Sequence, residues 1–262
     1  MLLKTAGILL VAASWISSAL FAVYIVGFYL GNVPGHMAAW NSSLPKLYEE
    51  GTPHATWVMG VHLFTGAVLL LLGPIQLFAG IRDRFRVWHR WTGRLYVLAG
   101  FLTGLAGLSF VLMKGTVGGL PMDIGFGLYG ALMTLAAVQT YRHAAGRRFD
   151  IHRRWAIRLY ALAIGSWLYR MDYGFWLMLA GRVGHTETFE GWFDIVMAFF
   201  FYLPNLAMAE IYIRGLNKIQ RPLLQVLAAL LLFVAVALIA VGTYYFMIFY
   251  WWPGITHQPI KG

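Results

Sequence analysis

Long runs of apolar residues constrain this chain more than any other feature of its sequence. Seven of them extend over roughly the 18 or more residues that a helix needs to cross the hydrocarbon layer of a membrane. They cover approximately residues 6–30, 56–80, 89–113, 123–142, 154–180, 192–213 and 223–250. Charged residues make up only 11% of the 262 residues, whereas soluble domains carry about 25%. The predicted fold class is therefore all-α: a polytopic transmembrane helical bundle of about seven spans, with residues 1–262 forming a single integral membrane domain.

The positions of the basic residues predict how the bundle is oriented. Of the 20 Lys and Arg residues, 15 fall at one set of alternating ends of the predicted spans. These are Lys4, Arg82, Arg84, Arg86, Arg90, Arg94, Arg142, Arg147, Arg148, Arg153, Arg154, Arg158, Arg214, Lys218 and Arg221. Because cytoplasmic loops are enriched in Lys and Arg, the amino terminus is predicted in the cytoplasm and the carboxyl terminus outside. The net charge of +10 then reflects topology and contact with anionic lipid headgroups, and does not indicate a nucleic-acid partner.

The absence of cysteine narrows the chemistry that this chain can carry out. With no cysteine in the sequence, disulfides, iron–sulfur ligation and thiol catalysis are excluded. The candidate functional groups are therefore the histidine, carboxylate and arginine side chains that interrupt the apolar runs. Such groups are costly at membrane depth unless they have a partner, and they are usually functional.

Two segments of the chain repeat one another. The first reads VWHRWTGRLYVLAG at 87–100 and the second reads IHRRWAIRLYALAIG at 151–165. The paired positions are Arg90 with Arg154, Trp91 with Trp155, Arg94 with Arg158 and Tyr96 with Tyr160. This register predicts a duplicated helical hairpin that forms a four-helix core over 56–180, with 1–55 and 192–262 at the periphery. Alternatively, the two loops share Trp, Arg and Tyr anchors only because the membrane interface favours those residues.

Each repeated segment contains a histidine near its start, His89 in the first and His152 in the second. Imidazole is a common axial ligand of haem iron, and arginines bind carboxylates such as haem propionates through paired hydrogen bonds. The arginines around the two histidines are Arg90, Arg94, Arg153, Arg154 and Arg158. The sequence therefore predicts one b-type haem at the cytoplasmic ends of the third and fifth spans, with His89 and His152 as metal ligands. The alternative is that both histidines are solvated residues at helix ends.

Small residues follow three of the histidines at a fixed distance. Four positions after His62, His89 and His152 stand Gly66, Gly93 and Ala156, respectively. Residues four apart share one face of a helix, so a flat ring bound at each histidine would meet little obstruction one turn further along. Close packing between membrane helices explains the same pattern equally well.

A second group of polar residues is predicted toward the outer face of the membrane. This outer polar cluster consists of His62, Asp123, Arg170 and Asp172. At 1.5 Å per residue, Arg170 lies roughly 27 Å along a helix from His152, and His62 should reach a similar height. The cluster is predicted to position a quinone headgroup or a substrate, or to bind a metal ion through His62. The alternative is a structural ion pair that fixes the register of the helices.

The block from HLFTGAVLLLLGPIQL through HRWTGRLYVLAG to DIHRRWAIRLYALAIG resembles a large bacterial family of predicted multi-pass membrane proteins of unknown function. The resemblance covers approximately residues 56–172. The matching positions are His62, Gly66, Gly73, Pro74, Gln76, His89, Arg90, Gly93, Arg94, Tyr96, His152, Arg153, Trp155, Arg158 and Arg170. This resemblance implies a bacterial inner-membrane location, and it implies no activity because the family has none assigned.

The predicted four-helix core also resembles, more weakly, the b-type cytochrome bundles of ascorbate-dependent cytochromes and ferric reductases. Those bundles carry paired histidines on alternate helices and bind two haems near opposite membrane faces. His89 and His152 correspond to one such pair. The fourth span offers only Gly125 and Phe126 opposite His62, so the second pair is incomplete and the resemblance implies a single haem.

Two functions from different classes therefore remain open. In the first, the chain is a membrane-embedded haem-binding electron-transfer protein or a quinone-linked oxidoreductase. In the second, it is a non-redox membrane protein, either a small transporter or an accessory subunit of a larger membrane complex. A transporter is expected to contain a helix interrupted at mid-membrane, and Gly73-Pro74 is the interruption that the sequence offers.

Overall fold

The computed structural model describes residues 2–33, 35–42, 44–215 and 222–256. Lys218 and Arg221, which contribute to the predicted orientation, lie outside these described residues. The helices are α1 Leu2–Tyr24, α2 Pro53–Leu77, α3 Ala79–Arg84, α4 Arg86–Lys114, α5 Gly119–Ala145, α6 Phe149–Ala163, α7 Gly165–Ala180, α8 Trp192–Phe200, α9 Leu203–Ile213, α10 Pro222–Phe246 and α11 Trp252–Ile255. Short π-helical segments, Ile25–Leu30 and Met247–Trp251, continue α1 and α10. The predicted all-α class is confirmed.

Six helical segments within the described residues are long and apolar enough to cross a membrane. They are Leu2–Leu30, Pro53–Leu77, Arg86–Lys114, Gly119–Ala145, Trp192–Ile213 and Pro222–Ile255. The predicted polytopic membrane bundle is thereby confirmed. The fifth predicted span, 154–180, is absent from this set because it is built from two consecutive shorter helices, α6 and α7.

A side chain of the neighbouring helix interrupts the fifth span. Helix α6 ends before Ile164 and α7 begins after it, although the Ile164 N–H still donates to the Tyr160 carbonyl at 3.2 Å. The Tyr129 hydroxyl of α5 donates to the Leu162 carbonyl at 2.8 Å. In a continuous helix that carbonyl would accept the N–H of Ser166. A hydroxyl from another helix thus competes for a carbonyl of the regular backbone ladder at the point where the helix stops.

The dipeptide Gly73-Pro74, by contrast, does not interrupt its helix. Pro74 lies inside the continuous helix α2, although a proline removes one backbone donor. A Cβ atom on Gly73 would lie 3.0 Å from the ring of Tyr160 and 3.4 Å from the ring of Tyr96. The glycine therefore lets α2 approach these two tyrosines, which occupy equivalent positions of the sequence repeat.

Helices α2, α4, α5 and α6 pack around one another in a ring. Helix α2 packs on α4, α4 on α5, α5 on α6, and α6 returns to α2. The two backbones of α4 and α5 come closest at a glycine pair, since a Cβ atom on Gly104 would lie only 2.8 Å from the Gly130 carbonyl oxygen. Small residues at such crossings allow membrane helices to pack closely. The two hairpins of the repeat thus form a four-helix bundle.

Helices α8 and α9 contribute to the buried centre of this bundle. Phe193, Met197, Phe201 and Tyr202 belong to the same buried cluster as side chains of α4, α5 and α6. The sequence places 192–262 at the periphery, but the α8–α9 part of it packs into the core. Helix α10 packs mainly on α1, and most of its side chains are exposed on the apolar surface.

Candidate functional sites at two levels of the bundle

The two histidines of the repeat lie at the same end of the bundle. His89 is in the first turn of α4, His152 is in the first turn of α6, and the two rings are close enough to interact electrostatically. Nδ1 of His152 lies 2.9 Å from the Thr140 carbonyl. A carbonyl can only accept, so Nδ1 carries a proton, and in the neutral imidazole Nε2 presents a lone pair. Metal-ligating histidines are typically oriented by such a bond from the other ring nitrogen.

His89 has a different environment. Its Nδ1 atom is buried and has no hydrogen-bond partner among the described residues. His143, which is not among the predicted site residues, lies at the end of α5, also has a buried Nδ1 atom without a partner in the described structure, and interacts electrostatically with His152. The structure therefore places three imidazoles at this end of the bundle.

Arg82 and Asp83 lie in α3, shortly before His89 in the chain. The Arg82 guanidinium lowers the pKa of the neighbouring Asp83 carboxyl.

The repeat builds the same tryptophan–arginine contact twice. The Arg94 guanidinium lies 4.7 Å from the centre of the Trp91 ring, and that of Arg158 lies 4.7 Å from the centre of the Trp155 ring. Such cation–π contacts stabilise a charge by about 0.5–1 kcal/mol at exposed sites. The equivalent residues of the two segments thus have equivalent local geometry.

The five arginines predicted around the histidines differ in how far their charge is already neutralised. Arg90, Arg94, Arg153 and Arg154 are exposed. Arg158 is half-buried and forms an ion pair with Glu210 of α9. Arg153 also reaches α9, with Nη2 3.5 Å from the hydroxyl of Tyr212. The exposed arginines remain available to an anionic group, whereas Arg158 holds α6 to α9.

Two members of the outer polar cluster meet inside the bundle. His62 and Arg170 line one cavity of about 40 Å³, together with residues of α1, α4 and α5. Nδ1 of His62 lies 2.9 Å from the Thr103 carbonyl. Arg170 donates from Nη1 to the Ser166 carbonyl at 2.8 Å, and its guanidinium lies 4.8 Å from the centre of the Phe21 ring. Thr103 lies near the midpoint of α4, so the cavity is deeper than the outer face that the sequence predicts.

The two aspartates of the predicted cluster lie elsewhere. Asp123 accepts a hydrogen bond from the Thr116 N–H at 2.6 Å and stabilises the connection between α4 and α5. Asp172 does not line the cavity. Within the described residues, no group of three His, Cys, Asp or Glu side chains is placed to hold a metal ion. The structure therefore brings His62 and Arg170 together, and leaves Asp123 and Asp172 out.

Neighbouring side chains occupy the space beside two of the small residues that follow the histidines. A Cβ atom on Gly66 would lie 3.8 Å from the Thr103 methyl group, and one on Gly93 would lie 3.0 Å from Oε1 of Gln76. Gln76 in turn donates to the Thr92 hydroxyl at 2.7 Å. Close packing of α2 against α4 therefore accounts for Gly93, whereas a Cβ atom on Gly66 would be in ordinary van der Waals contact.

A network around Asp194 is a feature that the sequence interpretation misses. The fully buried carboxylate accepts hydrogen bonds from the Tyr173 hydroxyl and from Nδ1 of His185, both at 2.7 Å. It also accepts from the backbone N–H groups of Thr186, at 3.1 Å, and Gly191, at 3.0 Å. Four donors satisfy the carboxylate and fasten the 181–191 loop onto α7 and α8. Asp194 is the third residue of α8, and an acidic side chain at this position is a known signal for the start of a helix. This is the sequence signal by which the residue could be found.

The fold and the polar groups inside it define an integral membrane protein of the polytopic all-α class. Residues 59–213 match the model of a family described as "Predicted membrane protein (DUF2306)". The match covers more than half of the chain, and the protein belongs to this family, whose function is not known. The match confirms the resemblance found over 56–172 and extends it through α8 and α9. No curated protein and no solved structure matches the chain.

Proposed function

We propose that the protein is a membrane-embedded electron-transfer protein that holds one b-type haem between His89 and His152. The observation that carries this proposal is that His89 and His152 lie in the first turns of α4 and α6 at one end of the bundle, with His152 oriented by the Thr140 carbonyl. Imidazole ligation is the chemistry by which b-type haem is held, so the donor set fits this group. When bound, the haem would supply one-electron redox chemistry.

The surrounding side chains would position the haem rather than react. The bond from His152 to Thr140 directs the Nε2 lone pair of the imidazole away from α5. The exposed arginines Arg90, Arg94, Arg153 and Arg154 would receive the propionates through paired hydrogen bonds. The amino-terminal ends of α4 and α6 favour the same negative charge, because their free N–H groups carry partial positive charge.

The spectrum of the purified protein tests the haem proposal. Protein from haem-replete cells should show the Soret band of a b-type haem, with sharpened bands on reduction, and His89→Ala or His152→Ala should abolish it. His143→Ala is the matched control, since it removes the third imidazole at the same end and should leave the spectrum unchanged. Arg170→Ala should also leave the spectrum unchanged, because its site is separate. A colourless, well-folded wild-type preparation would refute the haem.

We further propose that the basic end of the bundle faces the cytoplasm of a bacterial cell, against anionic lipid headgroups. The ion pair between Arg158 and Glu210 keeps the basic ends of α6 and α9 together, and the pair between Lys114 and Glu49 lies at the opposite end of α4. The excess of basic residues at the end that holds the Arg158–Glu210 pair supports an amino terminus inside and a carboxyl terminus outside.

Reporter fusions at Gly262, a residue outside the described part of the chain, test the orientation. A reporter that works only outside the cytoplasm should be active there, and a reporter that works only in the cytoplasm should be silent. Strong activity of the cytoplasmic reporter would contradict the topology.

Transport is a second candidate function, and the interruption at Ile164 favours it. Interrupted helices at mid-membrane commonly form substrate sites in transporters, and Ala163 and Ser166 on either side of the interruption line the cavity. Uptake of ions into protein-containing liposomes tests transport, and an absence of uptake would refute it.

The cavity of about 40 Å³ is far smaller than the roughly 300 Å³ of ordinary ligand pockets. Its volume therefore does not support a quinone headgroup at this position. The role of an accessory subunit stays a prediction.

A further inference from the structure

Arg170 is a charged side chain inside the bundle that forms no ion pair with a carboxylate of the described residues. All ten Asp and Glu residues of the chain lie in its described parts, and within those parts none forms an ion pair with Arg170. Its contacts are the Ser166 carbonyl and the face of the Phe21 ring. A guanidinium remains charged at all physiological pH values, and an uncompensated charge in the hydrocarbon region is strongly disfavoured. A carbonyl dipole and an aromatic face offer only partial negative charge.

The carboxylates nearest to Arg170 along the chain or on neighbouring helices either accept hydrogen bonds from other groups or lie on another side of their helix. Asp172 follows Arg170 by two residues, which places it roughly 200° around the helix. Asp123 accepts the Thr116 N–H, and Asp194 is satisfied by four donors that do not include Arg170. No Asp or Glu side chain of the described residues therefore supplies a counter-charge for Arg170, and the site is left with room for one from solution.

The cavity beside Arg170 limits the size of that counter-charge. Its volume is about 40 Å³, whereas one water molecule needs about 10–15 Å³ by this measure. The cavity thus has room for about three or four water-sized groups. A phosphate ester, a carboxylic acid substrate or a quinone would need a pocket several times larger. An anion of the size of a halide, with one water molecule, fits.

Polar groups line the same cavity and suit a small hydrated ion. His62 interacts electrostatically with Arg170, and the bond from its Nδ1 atom to the Thr103 carbonyl leaves Nε2 to accept a hydrogen bond from water. Gly107 makes room for the imidazole, because a Cβ atom there would lie 2.9 Å from Nδ1. Tyr129, whose hydroxyl donates to the Leu162 carbonyl, belongs to the same lining.

We propose that this mid-bundle cavity binds one small monovalent anion of the size of chloride, with Arg170 as its charge partner. The site is separate from the paired histidines His89 and His152. It requires no haem, so its occupancy can be measured whether or not the purified protein carries a cofactor.

Binding of radioactive chloride to the purified full-length protein is the direct test. Saturable binding is expected, with bromide competing and gluconate failing to compete at equal ionic strength. Replacing gluconate by chloride at about ten times the dissociation constant should raise the Tm by roughly 3 °C or more. An absence of saturable chloride binding to the wild-type protein would overturn the proposal, whatever the spectrum of that preparation shows.

Two arginine variants separate a specific site from a general effect of salt. Arg170→Gln should lose both the chloride binding and the chloride-dependent rise in Tm. Arg182→Gln is the matched control, because it removes the same charge from an exposed loop position paired with Glu187, and it should retain both. If Arg182→Gln lost them to the same degree, or if folded Arg170→Gln retained them, the assignment would be wrong. If Arg170→Gln does not fold, the wild-type binding measurement decides.

Discussion

The two copies of the repeated segment are alike in local geometry and unlike in their surroundings. Each places an arginine 4.7 Å from the centre of the tryptophan ring three positions before it. In the first copy, Arg94 is exposed and Nδ1 of His89 has no hydrogen-bond partner among the described residues. In the second copy, Arg158 is paired with Glu210 and His152 is hydrogen-bonded to a carbonyl. Contacts between residues close in sequence are thus reproduced, whereas contacts with other helices are not.

The copies diverge further along their helices. The same register that pairs Arg90 with Arg154 pairs Gly100 with Ile164. Gly100 lies within continuous α4, although glycine is the poorer helix former, whereas the helix stops at Ile164. The intrinsic propensity of the two residues would predict the opposite. The hydroxyl of Tyr129 supplies the difference, because it contacts only the second copy at this position.

The largest effect is expected where the two copies meet. Gly73→Leu would drive a side chain into the rings of Tyr96 and Tyr160, and overpacking of this kind costs about 3 kcal/mol. A marked fall in Tm and loss of the monodisperse peak in size-exclusion chromatography are expected. Gly7→Leu is the control, since no atom lies within 4 Å of a Cβ added there. Equal stability of the two variants would show that the tyrosines do not pack on α2.

A medium effect should distinguish the two arginines of the tryptophan–arginine pairs. Arg158→Met leaves the half-buried Glu210 without this ion-pair partner, and we expect a loss of about 1–3 kcal/mol after allowance for solvent exposure. Arg94→Met removes an exposed cation–π contact, worth about 0.5–1 kcal/mol. Denaturant unfolding of both variants measures the difference. Adding Glu210→Gln to Arg158→Met should restore part of the loss; no recovery would mean that the ion pair does not contribute.

The smallest effects concern two buried tyrosine hydroxyls. Tyr129→Phe removes a donor to the Leu162 carbonyl and should lower stability by about 1 kcal/mol. The Tyr96 hydroxyl is buried with no partner among the described residues, so Tyr96→Phe should be neutral or slightly stabilising. Thermal unfolding of the two variants side by side tests this, and a larger loss for Tyr96→Phe would reveal a partner for its hydroxyl, such as bound water.

The sequence was sufficient for those parts of the fold that depend on local composition. Apolar length alone predicts the membrane helices, and the internal register predicts the equivalence of Arg94 and Arg158. The interruption at Ile164 could not be predicted, because it depends on a hydroxyl from another helix and the sequence instead suggests Gly73-Pro74. The sequence therefore predicts a single helix for the fifth span, whereas the structure has α6 and α7 there.

The candidate sites were predictable to a smaller degree. Polar residues in apolar runs direct attention to His62 and Arg170, and both line the same cavity. Which carboxylates accompany them depends on how each helix is rotated about its axis. Height along the membrane does not determine that rotation, so the sequence also predicts Asp123 and Asp172. The sequence does not predict Asp194, because its loop partners His185 and Thr186 carry no pattern of their own. The haem assignment of His89 and His152 stays a prediction.

The attachment of α8 and α9 to the bundle has a consequence for where this chain can be divided. Cutting after 180 would separate Arg158 from Glu210, Tyr173 from Asp194, and the Gly125 carbonyl from the Tyr202 hydroxyl. Each cut contact would leave a polar group of the bundle without this partner. The smallest piece that gene fusion or shuffling can transfer intact is therefore the four-helix bundle together with α8 and α9. That piece has nearly the boundaries of the family match.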